Sequence, residues 1–193
     1  MSEAPADAVP ERILLAAKND YLEGFERLLA LARRELRIFD PDLSELDMNS
    51  TRRIETLARR ELRIFDPDLA ELDMNSTRRI ETLARFLRGS RTHRICIALH
   101  DVEHVAKRCP RLITLLGSYT AGIFILQTQG EAAKVQDCFV LADGDHLLRR
   151  PVTTQPRGVL AINDPKECQP MLERFDEIWE SSVPAVSANT TGL

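Results

Sequence analysis

Apolar side chains near the start of the chain recur at the spacing of an α-helix. From Pro10, which suits a first helical turn, they follow one another at intervals of three and four residues. This pattern predicts one amphipathic helix of about six turns. Its apolar positions are Leu14, Ala17, Tyr21, Phe25, Leu28 and Ala32.

Further along the chain, short apolar runs predict buried β-strands. Two of them, residues 94–100 and 122–128, are continuously apolar and rich in β-branched side chains, which is typical of strands covered on both faces. A third run, Cys138–Ala142, is followed by Asp143-Gly144, a strong hairpin signal. The hairpin predicts a return strand at residues 147–150.

Helical segments separate the strands and lead to a prediction for the fold. A short helix is predicted over residues 101–108, a second from Pro110, and a last one from Pro165, after a final strand at Gly158–Ile162. Alternating strands and helices predict an α/β domain with a mainly parallel sheet flanked by helices. The predicted boundaries are a single domain over residues 10–182 and disordered termini at residues 1–9 and 183–193.

The centre of the sequence contains one unit of 26 residues written twice. Residues 31–56 and 57–82 are identical except that Ser44 in the first copy becomes Ala70 in the second. Each copy holds a strand-like apolar run, an Asp-Pro-Asp turn and an Asn-Ser-Thr helix start. Each copy is therefore predicted to form a strand, a loop and a helix. A tandem duplication, natural or engineered, explains it better than a repeat array.

The flanking residues distinguish the two copies. After the second copy, Ile80, Leu83, Ala84 and Leu87 form a full apolar helix face, whereas Glu61 breaks the same face after the first copy. Because a sheet has one position for this strand, we expect one copy to occupy it. The other copy is then displaced, extends a helix, or pairs with a second chain as a segment swap. On this basis we predict self-association as a homodimer.

Composition and charge narrow the classes of partner. In 193 residues the net charge is −4 and the isoelectric point about 5.6, so no strong field favours nucleic acid or anionic lipid. Arginines cluster in the repeat, but carboxylates balance them within each copy. No apolar run approaches the ~20 residues of a membrane span, and no signal peptide is recognisable. We therefore expect a cytoplasmic protein with neither a membrane nor nucleic acid as its partner.

The cysteines and the known cofactor motifs point the same way. The four cysteines lie far apart and form no C-x-x-C motif, so they predict neither a disulfide framework nor a zinc site. Phosphate-binding loops, dinucleotide fingerprints and nucleophilic triads are also absent from the sequence. We therefore expect no cofactor. The cysteines are Cys96, Cys109, Cys138 and Cys168.

Several short motifs carry a resemblance to a known fold. They are L-R-I-F-D-P-D-L at residues 62–69, R-I-C-I-A-L-H-D at 94–101, P-R-L at 110–112, L-A-D-G-D-H-L-L-R-R at 141–150 and F-D-E-I-W-E-S at 175–181. Together they resemble the phospholipase-D-like fold. More closely, they resemble a bacterial domain family with that predicted fold, sometimes found C-terminal to a GNAT acetyltransferase domain. The tandem duplication departs from the family pattern.

The resemblance implies a test for catalysis. The phospholipase D superfamily uses a histidine nucleophile, a lysine two residues later and a further aspartate, so that the imidazole attacks phosphorus while the lysine stabilises the charge. In this chain the residues two positions after the four histidines are Ile95, Val102, Ala106 and Leu148. None of them is lysine. The sequence therefore predicts that this phosphodiester chemistry is absent.

Polar residues follow two of the predicted strands. Asp66 (or Asp40 in the first copy) ends one strand, and His100-Asp101 ends the next, with His104 nearby. Ligands of open α/β sheets bind beyond the carboxyl ends of the strands, so these side chains are candidates for a cleft or a metal site. The structural alternative is that Asp101 caps the following helix and His100 is a polar residue at a strand end.

A second candidate lies on the predicted hairpin. His146, Arg149 and Arg150 follow the turn, and an anion could bind against the two arginines and the nearby histidine. The structural alternative is an exposed edge hairpin that its arginines keep soluble. The leading prediction is therefore a non-catalytic phospholipase-D-like binding or interaction module, with a small anion as one candidate ligand. The alternative is a divergent phosphodiesterase or metal-assisted hydrolase that uses Asp66, His100 and Asp101.

Overall fold

The structure, a computed structural model, describes residues 9–32 and 60–186. Within these ranges the strands are β1 (Glu11–Leu15), β2 (Glu61–Asp66), β3 (Arg94–Leu99), β4 (Ile123–Thr128), β5 (Cys138–Ala142), β6 (His146–Arg150), β7 (Gly158–Ile162) and β8 (Ser182–Pro184). The helices are α1 (Lys18–Leu31), α2 (Thr77–Arg88), α3 (Glu103–Arg108), α4 (Pro110–Ser118) and α5 (Pro165–Glu180), with a 3-10 turn at Ala132–Lys134. None of the helices in the described ranges has both the length and the apolar character needed to cross a bilayer.

The described strands form one mixed sheet. Their order is β1-β7-β6-β5-β2-β3-β4-β8. Only two of the seven pairings, β2–β3 and β3–β4, are parallel, and the other five are antiparallel. The α/β architecture is thus confirmed, but the prediction of a mainly parallel sheet is wrong. Strands β5, β6 and β7 follow one another through short connections, which produce antiparallel neighbours.

The predicted N-terminal helix is wrong over its first turns. Glu11–Leu15 instead forms β1, which pairs with β7, and α1 begins only at Lys18. Leu14 belongs to the predicted apolar stripe but is 78% exposed, whereas Leu15 is buried. Pairing with a segment far away in sequence has overridden the local helical period. The later positions of the stripe are confirmed as core: Tyr21, Phe25, Leu28 and Ala32 are all buried.

The second copy of the repeat supplies β2 and α2. Its apolar run becomes a strand between β3 and β5, its Asp-Pro-Asp segment a turn, and its Asn-Ser-Thr segment the start of α2. Ser76 is the N-cap of α2, although its hydroxyl makes no capping bond and instead donates to the Asp73 carbonyl. The first copy lies outside the described residues except for its first two, so the predicted fate of its strand is not tested.

Helix α2 explains why the second copy suits this place in the sheet. It buries Phe86 and Leu87, each at 5% exposure. At the same distance after the first copy the sequence holds Arg60 and Glu61. If the first-copy strand occupied the sheet, a guanidinium and a carboxylate would replace a phenyl ring and an isobutyl group in the core. Burying unpaired charges costs far more free energy than burying apolar groups.

The sheet separates two hydrophobic layers. Strand alternation sends Leu62 and Ile64 of β2 to one face, where they pack with α1, α2 and α4, and Phe65 to the other face, where it packs with α5. The first layer is the larger of the two. On the second face α5 lies over the middle of the sheet, and Phe124 on β4 remains 38% exposed.

Two local predictions near the chain's second half have opposite outcomes. The hairpin is confirmed, because Asp143 and Gly144 both have positive φ angles, 57° and 81°, at the turn between β5 and β6. The predicted disordered tail is wrong where it begins. Residues 182–184 form β8, which pairs with the last residues of β4, and the Ala185 N–H donates to the Ile125 carbonyl.

The use of the second copy generates a deletion test. Removing residues 31–56 joins Ala30 to Leu57 and restores the same helix end, since Leu57-Ala58 repeats Leu31-Ala32. The side chain of Arg60 donates to the Ala32 carbonyl at 3.4 Å, so the end of α1 and the start of β2 lie within reach of one arginine side chain. We expect the free energy of unfolding in urea to be unchanged within about 1 kcal/mol, or raised, because a shorter loop costs less chain entropy.

The matched control is removal of residues 57–82 instead. It yields the same protein except for serine in place of Ala70, an exposed position, and should behave identically. Loss of cooperative unfolding in both deletions would show that one copy alone cannot complete the sheet.

Candidate functional site

The carboxyl ends of β2 and β3 lie side by side, as predicted. The two strands pair in parallel with Asp66 opposite Leu99, so Asp66 and His100 come to the same edge of the sheet. Main-chain hydrogen bonds tie this edge together. The N–H groups of His100 and Asp101 both donate to the Pro67 carbonyl, at 3.0 and 2.9 Å. The turn after β2 is therefore fixed to the start of the loop after β3.

Asp66 organises the turn that follows its strand. Its side chain is buried, and Oδ1 accepts hydrogen bonds from the Leu69 N–H at 2.8 Å and the Asp68 N–H at 3.2 Å. This Asx turn holds Leu69 at a φ of 65°, a left-handed conformation that a leucine rarely adopts. Burial raises the pKa of Asp66 to about 6. The Asp66 carboxyl group therefore stabilises the turn after β2.

His100 has both ring nitrogens engaged. Nε2 lies 2.8 Å from the Val135 carbonyl, and Nδ1 lies 2.8 Å from the Thr128 hydroxyl. A carbonyl oxygen can only accept, so Nε2 carries the proton and Nδ1 accepts from the hydroxyl. The ring also packs edge-on against Phe65, with 5.2 Å between the ring centroids. In this arrangement no lone pair is available for a nucleophile, a general base or a metal ligand.

Asp101 points to the following helix. It is exposed, and its Oδ1 accepts the N–H of Glu103 at 2.8 Å at the start of α3. No hydrogen bond among the described residues joins Asp66, His100 and Asp101. The described ranges also contain no group of three or more His, Cys, Asp or Glu side chains placed to hold a metal ion. The strand-end residues share an edge of the sheet, but each side chain is bonded to a different partner.

The hairpin residues are divided between the two faces of the sheet. Strand β6 lies between β5 and β7, so the predicted exposed edge hairpin is wrong. Alternation places Arg149 on the α5 face, where it binds the buried Asp137 at 3.1 Å. Arg150 is on the opposite face, bound to Glu71, and His146 accepts the Asn163 N–H at 3.1 Å. The two arginines therefore cannot hold one anion between them.

A buried polar cluster surrounds Arg150 beneath α1. Its guanidinium lies over the Tyr21 ring, 4.7 Å from the centroid, and the Tyr21 hydroxyl is 3.6 Å from the Cys138 sulfur. Burial raises the pKa of the Cys138 thiol to about 11 and that of Tyr21 well above its ordinary value. Both groups are therefore protonated at neutral pH. The thiol is not a ready nucleophile, because nucleophilic attack requires the thiolate.

The sequence did not predict an open groove of about 300 Å³ on the α5 face of the sheet. Its floor comes from β2, β3 and β4, and its wall from two turns of α5. The lining residues are Glu61, Arg63, Cys96, Phe124, Phe175, Asp176 and Trp179.

Arg63 is the central charge of this groove. Its guanidinium binds Glu61 at 2.9 Å and Asp176 at 2.6 Å, and it lies over the Phe175 ring, 5.3 Å from the centroid. The Phe175 and Trp179 rings stack with 5.5 Å between centroids and 22° between planes. Trp179 is half-buried and packs against the hydrophobic layer on this face.

Part of the groove could have been found in the sequence. Phe175 and Trp179 are four residues apart, and strand alternation puts Arg63 and Glu61 of β2 on one face. What the sequence does not show is that Asp176 meets Arg63 across 113 positions of chain. The groove depends on how α5 crosses the sheet, which local periodicity does not specify.

Comparison with known proteins bears on the fold. A family model described as a domain of unknown function, DUF7931, matches residues 47–189. No curated protein matches the sequence. Among solved structures, the archaeal chromatin protein TrmBL2, whose structure is described as showing a novel mode of DNA binding, superposes with a TM-score of 0.59 at 8% identity. The match covers 94% of this chain, which spans only 56% of TrmBL2.

Two further structures extend the comparison. Nuc from Salmonella typhimurium, a phospholipase D family member, has a TM-score of 0.52 at 9% identity, over 93% of this chain and all of Nuc. NucT from Helicobacter pylori has a TM-score of 0.53 at 10% identity, over 92% of this chain and all of NucT. At such identities the likeness concerns the fold alone. It supports the resemblance to the phospholipase-D-like fold.

The buried carboxyl of Asp66 generates a pH-dependent prediction. Its folded-state pKa of about 6 lies above the unfolded value of about 4, so its contribution to stability is full below pH 4 and is lost as the pH rises through 6. Asp66→Asn keeps an oxygen for the two N–H donors but cannot ionise. We expect this variant to gain about 1–3 kcal/mol over the parent at pH 7.5, and little at pH 4.

Urea unfolding of both proteins across pH 4–8 measures this difference. The pKa of Asp143 is also raised to about 6 by burial, but Asp143 is present in both proteins and its effect cancels. Asp66→Ala is the control, because it leaves the Asp68 and Leu69 N–H groups without their acceptor and should destabilise at every pH. A stability difference between Asp66→Asn and the parent that is constant with pH would contradict the prediction.

Proposed function

This chain belongs to the DUF7931 family, and from that premise we propose that it is a non-catalytic, phospholipase-D-like binding module. One observation carries the proposal. The candidate reactive groups at the strand ends are each engaged in holding the fold: Asp66 in its Asx turn, His100 between Thr128 and Val135, and Asp101 at the start of α3. Catalysis needs a nucleophile and a base within reach of one substrate atom.

The groove is a place on the described surface that suits a ligand. It is concave, about 300 Å³ in volume, and combines aromatic side chains with three charged groups. That size lies at the lower end of small-molecule sites, and a few polar groups among apolar walls are their usual composition. The original candidates, Asp66, His100, Asp101, His146, Arg149 and Arg150, then serve to position the scaffold around it.

Hydrolysis of a chromogenic phosphodiester tests the non-catalytic part of this proposal. We expect purified protein to release p-nitrophenolate from bis(p-nitrophenyl) phosphate no faster than buffer does, with or without Mg²⁺, Mn²⁺ or Zn²⁺. The reason is that no histidine of the sequence is followed two positions later by a lysine, whose ammonium group stabilises the phosphorane charge in this chemistry. The measurement is absorbance of the released phenolate over hours.

The controls are His100→Ala and His146→Ala. Turnover by the parent that either substitution abolishes would establish the alternative, a divergent phosphodiesterase or metal-assisted hydrolase. Turnover that survives both substitutions, and that follows the protein through purification, would also end the non-catalytic proposal.

DNA binding is a second candidate, favoured by the likeness to TrmBL2. Against it, the net charge is −4, and Arg63, Arg149 and Arg150 are each paired with carboxylates of the same chain. Fluorescence polarisation of a labelled 20-base-pair duplex tests it. Binding that weakens steeply with salt would support it, because Lys and Arg contacts to phosphates release counterions.

Self-association remains a proposal of the same kind. Strand β1 is an outer strand of the described sheet; its Leu14 is 78% exposed, and Val9, just before the strand, is 81% exposed. Exposed apolar side chains on an outer strand favour pairing with another chain. Sedimentation of the full chain across a range of concentrations measures it. A monomer at every concentration would contradict both the homodimer and the segment swap.

A further inference from the structure

The groove beside α5 already holds one guanidinium, that of Arg63. Two carboxylates flank it, at 2.9 Å for Glu61 and 2.6 Å for Asp176, and the Phe175 ring lies beneath it. Planar cations bind carboxylates through paired N–H groups and stack on aromatic faces. The groove therefore already binds one guanidinium, that of Arg63, through both a carboxylate pair and an aromatic face.

One carboxylate of the groove remains open to a second cation. Asp176 uses Oδ1 for Arg63, yet its side chain remains 59% exposed. An anionic ligand would face this carboxylate and would have to displace Arg63 from two ion pairs. Charge complementarity thus favours a positively charged ligand over an anion.

The aromatic surface lies next to these carboxylates. Trp179 is half-buried and stacks on Phe175, and Phe124 on β4 is among the few large apolar side chains of the described residues that stay exposed, at 38%. Tryptophan is the ring that attracts cations most strongly. Exposed aromatic side chains beside a carboxylate are the components of known cation-binding sites, whereas either one alone would be unremarkable on a surface.

We propose that this groove binds a guanidinium-bearing ligand, with Asp176 as the anionic contact and the Trp179 and Phe124 rings as the surface on which the cation and its alkyl chain lie. The proposal names the ligand class for the site of the proposed binding module and in that sense rests on it. A guanidinium has two sources, a free arginine-like molecule or an arginine side chain of a peptide. The chemistry of recognition is the same for both.

Trp179 can serve as a fluorescent reporter for this site, because it is the single tryptophan of the sequence. Intrinsic fluorescence therefore reports on the groove without a label. The probe is N-acetylarginine amide, and the matched ligand control is N-acetylcitrulline amide, which has nearly the same shape without the charge. We expect a saturable change in Trp179 fluorescence with the arginine compound and none with the citrulline compound.

Two variants test the anionic contact. Asp176→Asn should weaken binding about two- to fivefold, the effect expected of a largely exposed ion pair, and raising the salt concentration should weaken binding in the parent. Glu177→Gln is the matched control, because Glu177 is the next residue on α5, is also exposed, and does not line the groove. We expect its affinity to equal that of the parent.

The Arg63→Ala variant tests whether a ligand guanidinium binds beside Arg63 or only in its place. Without Arg63, Asp176 loses the guanidinium that it binds, so the arginine probe should bind this variant more tightly and raise its unfolding temperature. Binding to Arg63→Ala but not to the parent would overturn the proposal, since the groove would then accommodate only its own arginine.

The remaining outcomes are equally decisive. Equal binding of the citrulline compound would show apolar recognition and overturn the proposal, as would no saturable signal up to about 10 mM of the arginine probe. Acetyl-Gly-Arg-Gly-amide supplies the second arm: tighter binding than the free amide assigns the guanidinium to a peptide partner, and equal binding to a free molecule. Failure here leaves the phosphodiester result untouched, so the two proposals fail separately.

Discussion

The position of β2 in the sheet is the constraint on which the rest of the molecule depends. It pairs in parallel with β3 on one side and antiparallel with β5 on the other, and so joins the two halves of the sheet. Its alternating side chains reach both hydrophobic layers, and its last residue fixes the adjoining turn. A strand with two neighbours has its main-chain groups satisfied on both sides, so a second identical strand has no place beside it. The duplication therefore adds sequence without adding a strand to this position.

The same strand connects the scaffold to the groove. Asp66 points to the α1 side and stabilises the turn after β2. Arg63, three residues earlier, points to the α5 side and lines the open groove. Polar residues at strand ends are natural candidates for chemistry in an α/β sheet. Here they satisfy buried main-chain groups instead, which would otherwise cost about 1–3 kcal/mol each. Fold likeness to a phospholipase D family member accordingly says little about activity.

Elements with a strong local signal could be predicted from the sequence. The buried strands, the Asp143-Gly144 hairpin and the helix that Asp164 caps all follow from apolar runs, turn chemistry and capping. Strand direction could not be predicted, because β5 returns to pair with β2 across a long stretch of chain. For the same reason the first residues of the chain were assigned to a helix, although they pair with β7. The groove was missed because Arg63 and Asp176 meet only once α5 is placed over the sheet.

Two interchangeable strand sequences in one chain allow an alternative threading, in which the first copy enters the sheet. The strands themselves cannot discriminate, since residues 35–40 and 61–66 are identical. The two arrangements differ in the next helix, where Arg60 and Glu61 would take the buried places of Phe86 and Leu87. Losing two buried apolar side chains costs about 3–6 kcal/mol, and burying two charges costs more, so the misthreaded isomer would amount to fewer than roughly one molecule in a hundred. The helix that follows the strand, and not the strand itself, thus determines which copy enters the sheet.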